Sequence, residues 1–129
     1  MQIHQSAEDY LETILMLSQR MGKVRSIDVV NELGFTKASV SIAMKKLREN
    51  GYIAVDGEGN LTLLAPGREI AERIYGRHRL LTHFFMQLGV DEKIAAEDAC
   101  KAEHILSEQT LEKIRESALR NDAAHPQAK

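Results

Sequence analysis

The sequence has few of the residues that interrupt helices or cross-link chains. It contains one cysteine, two prolines, eight glycines and no tryptophan among 129 residues. A single cysteine excludes an internal disulfide and is typical of a reducing compartment, so a cytoplasmic location is expected. The scarcity of proline and glycine favours a mainly helical fold. No stretch approaches the roughly 18 consecutive apolar residues that a membrane-spanning helix needs, so no membrane association is expected.

The chain also lacks a strong net charge of either sign. Seventeen lysines and arginines oppose nineteen aspartates and glutamates, which gives a formal charge of −2. This balance excludes a uniformly basic nucleic-acid-binding protein, although it leaves room for a local basic face. With 43% hydrophobic and 28% charged residues, the composition is that of a globular chain.

Hydrophobic periodicity predicts helices and one hairpin. Apolar residues recur at helical spacing in six segments, at about residues 6–20, 26–33, 36–50, 66–88, 91–106 and 107–119. Ser26 and Thr36 are the predicted N-caps of the second and third helices. Residues 52–63 contain two strand-forming runs around the turn sequence DGEGN, which predicts a β-hairpin. The residues from Asn121 onward are expected to be a frayed tail.

The order helix, turn, helix and hairpin is that of a winged helix. The sequence therefore predicts a mainly α fold, a winged helix-turn-helix with one β-hairpin followed by an all-α dimerisation domain. The predicted division places the winged helix in residues 1–64 and the following helical domain in residues 65–129.

The third helix is the candidate recognition helix because its charge differs from that of its surroundings. Between Lys37 and Arg48 there are four cations and no acid, whereas the rest of the first 64 residues holds three cations and eight acids. A simpler interpretation is a solvated basic helix face, but the surrounding winged-helix pattern favours contact with DNA. The candidate DNA-contacting residues are Arg25, Ser26, Thr36, Lys37, Ser39, Ser41, Lys45, Lys46 and Asn60.

Two short motifs carry residue types that ligate metals. In EDYLE, Asp9 and Glu12 are three residues apart and share one helix face. In DACKAEHIL, Cys100, Glu103 and His104 stand at i, i+3 and i+4, the spacing of a single helix face. A thiolate, a carboxylate and an imidazole grouped in this way form a reasonable half of a divalent transition-metal site.

Each of these residues also has a simpler structural role. Asp9 suits the start of a helix through its charge, and Glu12 suits an exposed surface. A lone Cys100 on an amphipathic helix is commonly a small buried apolar residue. His104 could be a hydrogen-bonded histidine with no ligand role. Spacing alone therefore leaves metal binding and these structural roles open.

The motifs SAEDYLETI, YGRHRLL and EDACKAEHILSE, in this order around the helix-turn-helix, resemble the metal-dependent repressors of the diphtheria-toxin-repressor and manganese transport regulator family. The resemblance covers roughly residues 5 to 118, and it implies that residues 1–64 are a DNA-binding domain and residues 65–129 a metal-binding and dimerisation domain. It implies that the metal ligands are Asp9, Glu12, His78, Cys100, Glu103 and His104. Asp9 and Glu12 resemble the manganese-responsive branch, whereas Cys100 resembles the iron-responsive branch.

This mixed ligand set leaves Fe²⁺ and Mn²⁺ as the two expected metals, with Zn²⁺, Co²⁺ or Ni²⁺ as substitutes in vitro. The resemblance implies a homodimeric repressor of iron or manganese homeostasis that binds palindromic double-stranded operator DNA. A divalent metal would lock the dimer into a geometry that binds the operator.

Two other functional classes remain open. The first is a winged-helix regulator gated by a non-metal ligand, which would keep the recognition helix and leave the ligand-type residues unexplained. The second is a metal-dependent enzyme, which is disfavoured because the sequence shows no further convergent acid or base.

Overall fold

The computed structural model describes residues 5–124, which form six helices and one three-stranded sheet. In chain order the elements are α1 (Gln5–Met21), β1 (Val24–Arg25), α2 (Ser26–Leu33), α3 (Lys37–Glu49), β2 (Ile53–Val55), β3 (Asn60–Leu63), α4 (Ala65–Gln87), α5 (Glu92–Ala102) and α6 (Glu108–Ala124). The chain divides into two compact units, the first ending at Arg73 and the second beginning at Ile74. The fold class predicted from the sequence is confirmed.

The first unit is a winged helix built around buried aliphatic side chains. Helix α1 packs against α2, α3 and strand β3. In α3, Val40, Met44 and Leu47 follow helical spacing and are buried. Each such side chain contributes about 1.5–3 kcal/mol relative to an exposed one. Because one face of α3 is fixed in the core, its opposite face is turned to solvent.

Of the two N-caps predicted in the helix-turn-helix, the structure confirms one and contradicts the other. The Thr36 hydroxyl accepts a hydrogen bond from the backbone N–H of Ser39 at 3.1 Å, so its predicted role as the N-cap of α3 is confirmed. The prediction for Ser26 is wrong, because Arg25 holds the cap position of α2 and Ser26 is already helical. Arg25 pairs with Asn60 in the sheet, which keeps its backbone extended for one residue longer than predicted.

The hairpin is confirmed, and a short third strand joins it. The sheet is antiparallel in the order β1-β3-β2, with Ala54 opposite Thr62 and Val24 opposite Leu61. The sequence analysis did not predict β1, because two residues are too few to show an alternating pattern. This strand joins the start of α2 to the wing.

The turn of the wing is organised by one carboxylate. Asp56 accepts hydrogen bonds from the backbone N–H groups of Glu58 and Asn60, both at 2.9 Å, and from the Asn60 side-chain amide at 3.0 Å. The hydrogen bonds from Asn60 hold the pKa of Asp56 below its usual value, because they stabilise the charged form.

Helix α4 begins at Ala65, so Pro66 lies in its first turn, where a missing N–H costs no hydrogen bond. Gly67 follows at a point of close approach. A Cβ atom at this position would lie 2.2 Å from the carbonyl oxygen of Tyr52. Only glycine therefore allows the start of α4 to pass so near the backbone before β2.

The second unit is helical, and its core includes the buried residues Leu81, Ala99 and Leu111 from three helices. The predicted end of the fifth helix at Leu106 is wrong, since α5 ends at Ala102. The last helix is longer than predicted and runs to Ala124. The predicted frayed tail is therefore wrong for residues 121–124, and residues 125–129 lie outside the described part of the chain.

Between residues 5 and 124, no helix combines the length and the apolar character needed to cross a membrane.

Candidate functional site

In the second unit, three of the proposed ligand residues come together. His78 on α4 places its Nδ1 atom 3.1 Å from a carboxylate oxygen of Glu103. The other carboxylate oxygen of Glu103 lies 3.5 Å from Nε2 of His104. Glu103 is fully buried, and only 1% of the His104 side chain is exposed. Burial of an ionised carboxylate is costly unless cations or hydrogen bonds compensate its charge, so this trio is a suitable donor set for a divalent cation.

Glu103 and His104 lie in a turn, which we call the ligand turn (residues 103–107), and not on the continuous helix that the spacing predicted. Glu103 is the C-cap of α5, and its N–H still donates to the carbonyl of Ala99 at 2.9 Å. Its own carbonyl accepts from the Arg77 guanidinium at 3.1 Å. The turn then closes at Ser107, whose hydroxyl accepts from the backbone N–H of Thr110 at 3.2 Å and caps α6.

Arg77 is a functional candidate that the sequence analysis missed. Only 14% of its side chain is exposed, and it contacts both the Glu103 carbonyl and the carboxylate of Glu108. One guanidinium therefore contacts the first residue of the ligand turn and the residue that follows its end. The sequence signal was the arginine directly before His78, but its partners are 26 and 31 residues away and could not be inferred.

Cys100 lies in the last turn of α5, and its side chain is exposed. Its exposure contrasts with the complete burial of Glu103 three residues later. The interpretation of this cysteine as a small buried apolar residue is therefore wrong.

In the first unit, Asp9 and Glu12 lie on α1 as their spacing predicted. Asp9 is half-buried, and Glu12 is only 5% exposed. The interpretation of Glu12 as a surface charge is wrong, because its side chain is buried. Two carboxylates at this spacing have the chemistry of metal ligands.

Tyr10, next to Asp9, reports the same enclosed surroundings. Its ring packs edge-on against Phe35, with 5.9 Å between the ring centroids. Burial, together with the negative charge of Asp9, raises the pKa of Tyr10 above its ordinary value. The tyrosine therefore stays neutral and joins the start of α1 to the loop before α3.

The proposed recognition helix presents its predicted contact residues to solvent. Six of the candidate residues are exposed at the start or on the outer face of α3, namely Thr36, Lys37, Ser39, Ser41, Lys45 and Lys46. The Thr36 hydroxyl also donates to the Ser39 hydroxyl at 2.9 Å. The other four side chains are exposed, so a polyanion could contact them without any change in the core.

Beside α3, a shallow pocket collects further polar and basic groups. It is lined by Ser26, Ser41, Lys45 and Arg48, with Met44 and Val55 as its apolar floor. A hydroxyl and ammonium lining of this kind suits an anionic group such as a backbone phosphate. Arg48 belongs to the basic segment but is not among the predicted contact residues. Its position in the lining of this pocket makes it a further candidate for contact with DNA.

The two predicted DNA-contacting residues of the wing region, Arg25 and Asn60, differ in exposure and in hydrogen bonding. Arg25 is exposed, and its guanidinium lies about 3.5 Å from the position that a Cβ on Gly59 would occupy. Asn60 is half-buried, and its side-chain amide donates to Asp56. Of these two residues, Arg25 is therefore the one whose polar group is open to a ligand.

The chain matches two family profiles that together cover nearly all of it. Residues 2–61 match the iron-dependent repressor N-terminal DNA-binding domain. Residues 65–126 match the iron-dependent repressor metal-binding and dimerisation domain.

Among curated proteins, the chain is 35% identical over 113 residues to an uncharacterised HTH-type transcriptional regulator of Methanocaldococcus jannaschii, covering 86% of this chain and 90% of that one. It is 33% identical over 109 residues to the HTH-type transcriptional regulator MntR of Lysinibacillus sphaericus, covering 84% and 78%. These relatives are transcriptional regulators.

Solved structures of transcriptional regulators have a similar fold. The manganese regulator SloR superimposes with a TM-score of 0.76 at 27% identity, covering 94% of this chain and 55% of that one. A manganese-dependent transcriptional repressor in complex with manganese gives a TM-score of 0.78 at 29% identity, covering 87% and 52%. The chain thus spans about half the length of these structures. Profiles, relatives and fold lead to one conclusion: this chain belongs to the diphtheria-toxin-repressor and manganese transport regulator family of metal-dependent transcriptional repressors.

Proposed function

We propose that the protein is a metal-activated repressor that binds palindromic operator DNA as a homodimer and controls iron or manganese homeostasis. One observation carries this proposal: a winged helix whose third helix has an exposed face with four cations and no acid between Lys37 and Arg48 belongs to the same chain as a buried set of carboxylate and imidazole donors. Neither feature alone would require metal gating. Their combination is what a regulator needs in order to couple metal to DNA.

The proposed metal ligands are Asp9, Glu12, His78, Cys100, Glu103 and His104. Support comes from their chemistry, since Asp9, Glu12, Glu103 and His104 are half-buried or buried donors that could hold a metal ion. When bound, a divalent cation supplies two positive charges and a fixed geometry for its donor atoms. The carboxylates favour Mn²⁺, and the exposed thiol of Cys100 favours Fe²⁺, so both metals stay in the proposal.

The ligands divide between the two units, with Asp9 and Glu12 in the first unit and the other four residues in the second. Shared ligation would restrict the orientation of the DNA-binding unit in each protomer and thereby set the spacing of the two recognition helices in a dimer. Metal and DNA would then bind with a positive coupling of about 1–3 kcal/mol, or roughly 5–150-fold.

The proposed DNA contacts are divided between phosphates and bases. Lys37, Lys45 and Lys46 would neutralise backbone phosphates, and the hydroxyls at the start of α3 would reach phosphates or base edges. The proposed set is Arg25, Ser26, Thr36, Lys37, Ser39, Ser41, Lys45, Lys46 and Asn60. For Asn60, the hydrogen bond to Asp56 would have to be exchanged for a contact with DNA.

The remaining parts of the proposal concern organisation. We propose that residues 1–64 bind DNA and that residues 65–129 bind metal and dimerise. We also propose a cytoplasmic location, which fits the single cysteine, and no enzymatic activity.

Fluorescence anisotropy with labelled duplex DNA tests the gating. Operator candidates would come from a random duplex library selected with the full-length protein and Mn²⁺. Affinity is then measured with Mn²⁺, with Fe²⁺ under anaerobic conditions, with Co²⁺, with Zn²⁺ and with a chelator. We expect binding 5–150-fold weaker in chelator. Equal affinity in chelator would contradict metal gating and support a regulator gated by a non-metal ligand.

The same assay tests the basic helix. The double variant Lys45→Ala, Lys46→Ala removes four phosphate contacts per dimer and should lower the slope of log affinity against log salt by about 3.6, since each contact contributes about 0.9. Lys93→Ala, an exposed lysine of α5, is the matched control. An unchanged slope in the double variant would remove these lysines from the DNA contact.

A further inference from the structure

The outer face of α3 carries one residue that neither the charge pattern nor the core explains. Ile42 is 58% exposed, more than any other large apolar side chain of the first unit within residues 5–73. It stands one helical turn from Ser39 and Lys45, both of which are exposed. An aliphatic side chain therefore lies in the middle of the basic, hydroxyl-bearing surface.

Folding gives no reason for isoleucine at this position. Three other residues of α3 fill the core contact, and Ile42 is not among them. β-branched residues are slightly less favourable in helices than lysine, glutamate or alanine, so exposure does not select isoleucine either. A single exposed aliphatic residue is common on protein surfaces. What makes this one informative is its position among cations.

The charge of α3 limits the partner that could cover Ile42. Lys37, Lys45, Lys46 and Arg48 lie on the same helix, and no acid lies between the first and last of them. The partner must therefore be a polyanion that presents an apolar group between its charges. Duplex DNA presents one such group in the major groove, the C5-methyl of thymine, and that groove is wide enough for a helix.

We propose that Ile42 is a specificity-determining residue that contacts a thymine methyl group in each half of the operator. This inference rests on the proposed DNA-binding function and deepens it, because it names a base that the recognition helix selects. Lysines that contact phosphates fix the register of the helix, and the isoleucine adds a preference for thymine over a base without the methyl group.

The test replaces thymine by deoxyuridine, which removes only the methyl group and keeps the hydrogen-bonding groups. The probe is the duplex selected with the full-length protein and Mn²⁺, with each thymidine replaced in turn. At one position of each half-site we expect wild-type affinity to fall about fourfold, since a buried methylene contributes about 0.8 kcal/mol and 1.4 kcal/mol is tenfold. Ile42→Ser should bind the thymidine duplex more weakly and show no further loss with deoxyuridine at that position.

Three further measurements separate this role from general damage. Ile42→Val should retain the discrimination between thymidine and deoxyuridine. Met21→Ser, another exposed apolar residue of the first unit, should behave as wild type. The Ile42→Ser variant should keep the melting temperature and the salt slope of the wild type, because Ile42 is exposed and carries no charge.

The outcomes are distinguishable. Wild-type protein that binds duplex DNA but is indifferent to deoxyuridine at every position overturns the inference and leaves the DNA-binding function standing. An equal deoxyuridine effect in wild type and Ile42→Ser also overturns it, since the methyl would then be sensed elsewhere. Wild-type protein that binds no duplex DNA at all would refute the proposed function itself.

Discussion

The proposed DNA-contacting side chains of α3 and the proposed metal-ligating side chains of the ligand turn differ most in how far they are exposed. The contact residues of α3 point to solvent from one face of a regular helix whose other face fills the core. The ligand turn lies between two helices and buries its carboxylate completely. An exposed helix face is defined by the chain within a dozen residues. The buried Glu103 depends on partners far away in sequence, such as Arg77 and His78.

The two parts of the proposed function should therefore respond differently to substitution. On α3, single changes should alter binding by small, nearly additive steps, because each side chain is solvated separately. In the ligand turn, single changes should have large and coupled effects, because the side chains share contacts.

Glu103→Gln should give the largest effect. The substitution keeps the size of the side chain and removes its charge from a buried position beside His78 and His104. We expect the affinity for Mn²⁺, measured by isothermal titration calorimetry, to fall at least about 100-fold, since even residues that only support ligands change metal affinity 10–100-fold.

Glu97→Gln is the matched control, because Glu97 is an exposed glutamate on α5. It should bind Mn²⁺ as the wild type does. Wild-type affinity in Glu103→Gln would remove the ligand turn from the metal site, and the contrast with α3 would lose its functional meaning.

Arg77→Ala should come next. Arg77 holds the carbonyl of Glu103 and the carboxylate of Glu108, so its loss removes both hydrogen bonds that flank the ligand turn. We expect Mn²⁺ affinity to fall about 10–100-fold while the protein stays folded. Arg115→Ala, an exposed arginine paired with Glu112 on α6, is the control. If both variants bind Mn²⁺ equally, Arg77 does not position the ligands.

Thr36→Ala should have a smaller effect on the exposed side of the comparison. Removing the N-cap of α3 should lower the free energy of unfolding by about 1 kcal/mol, as measured by urea denaturation. The first turn of α3, which carries Lys37 and Ser39, would fray. Thr36→Ser keeps the capping oxygen and should stay near the wild-type value. A loss of equal size in Thr36→Ser would show that the methyl group, not the cap, matters.

The smallest effect concerns the pH dependence of the wing. Hydrogen bonds from Asn60 lower the pKa of Asp56 in the folded state, so its stabilising contribution is present above the unfolded pKa and is lost as the pH falls through the folded value. Asp56→Asn should therefore be less stable than wild type at neutral pH. The difference should narrow below about pH 3.9, the ordinary value for aspartate. A difference that stays constant with pH would mean that the charge of Asp56 does not stabilise the turn.

Much of the first unit was predictable because its signals are local. The cap at Thr36, the helical spacing of Val40, Met44 and Leu47 and the turn after Val55 all lie within a few residues of the structure they specify. The misplaced start of α2 and the missed strand β1 share one cause. Arg25 pairs with Asn60, and a pairing across 35 residues leaves no local pattern.

The residue types of the candidate metal site could be predicted from the sequence, whereas its backbone conformation and burial could not. Residue types and the family resemblance gave the ligand candidates, but the helix predicted through Leu106 ends at Ala102. The Glu103 carbonyl accepts from Arg77, a distant donor that local spacing cannot reveal. Burial also differed from expectation in both directions, since Glu12 is enclosed and Cys100 is exposed.

The fold class, the basic recognition helix and the family could be predicted from the sequence, because hydrophobic periodicity, charge pattern and motif order are properties of residues that are close together in the chain. Only the tertiary structure decided which carboxylates are buried, where the ligand turn begins and that Arg77 holds it. It also singled out Ile42 as the aliphatic residue left uncovered on the basic face. Burial and long-range hydrogen bonds depend on residues that come into contact only after folding, so local sequence patterns could not predict them.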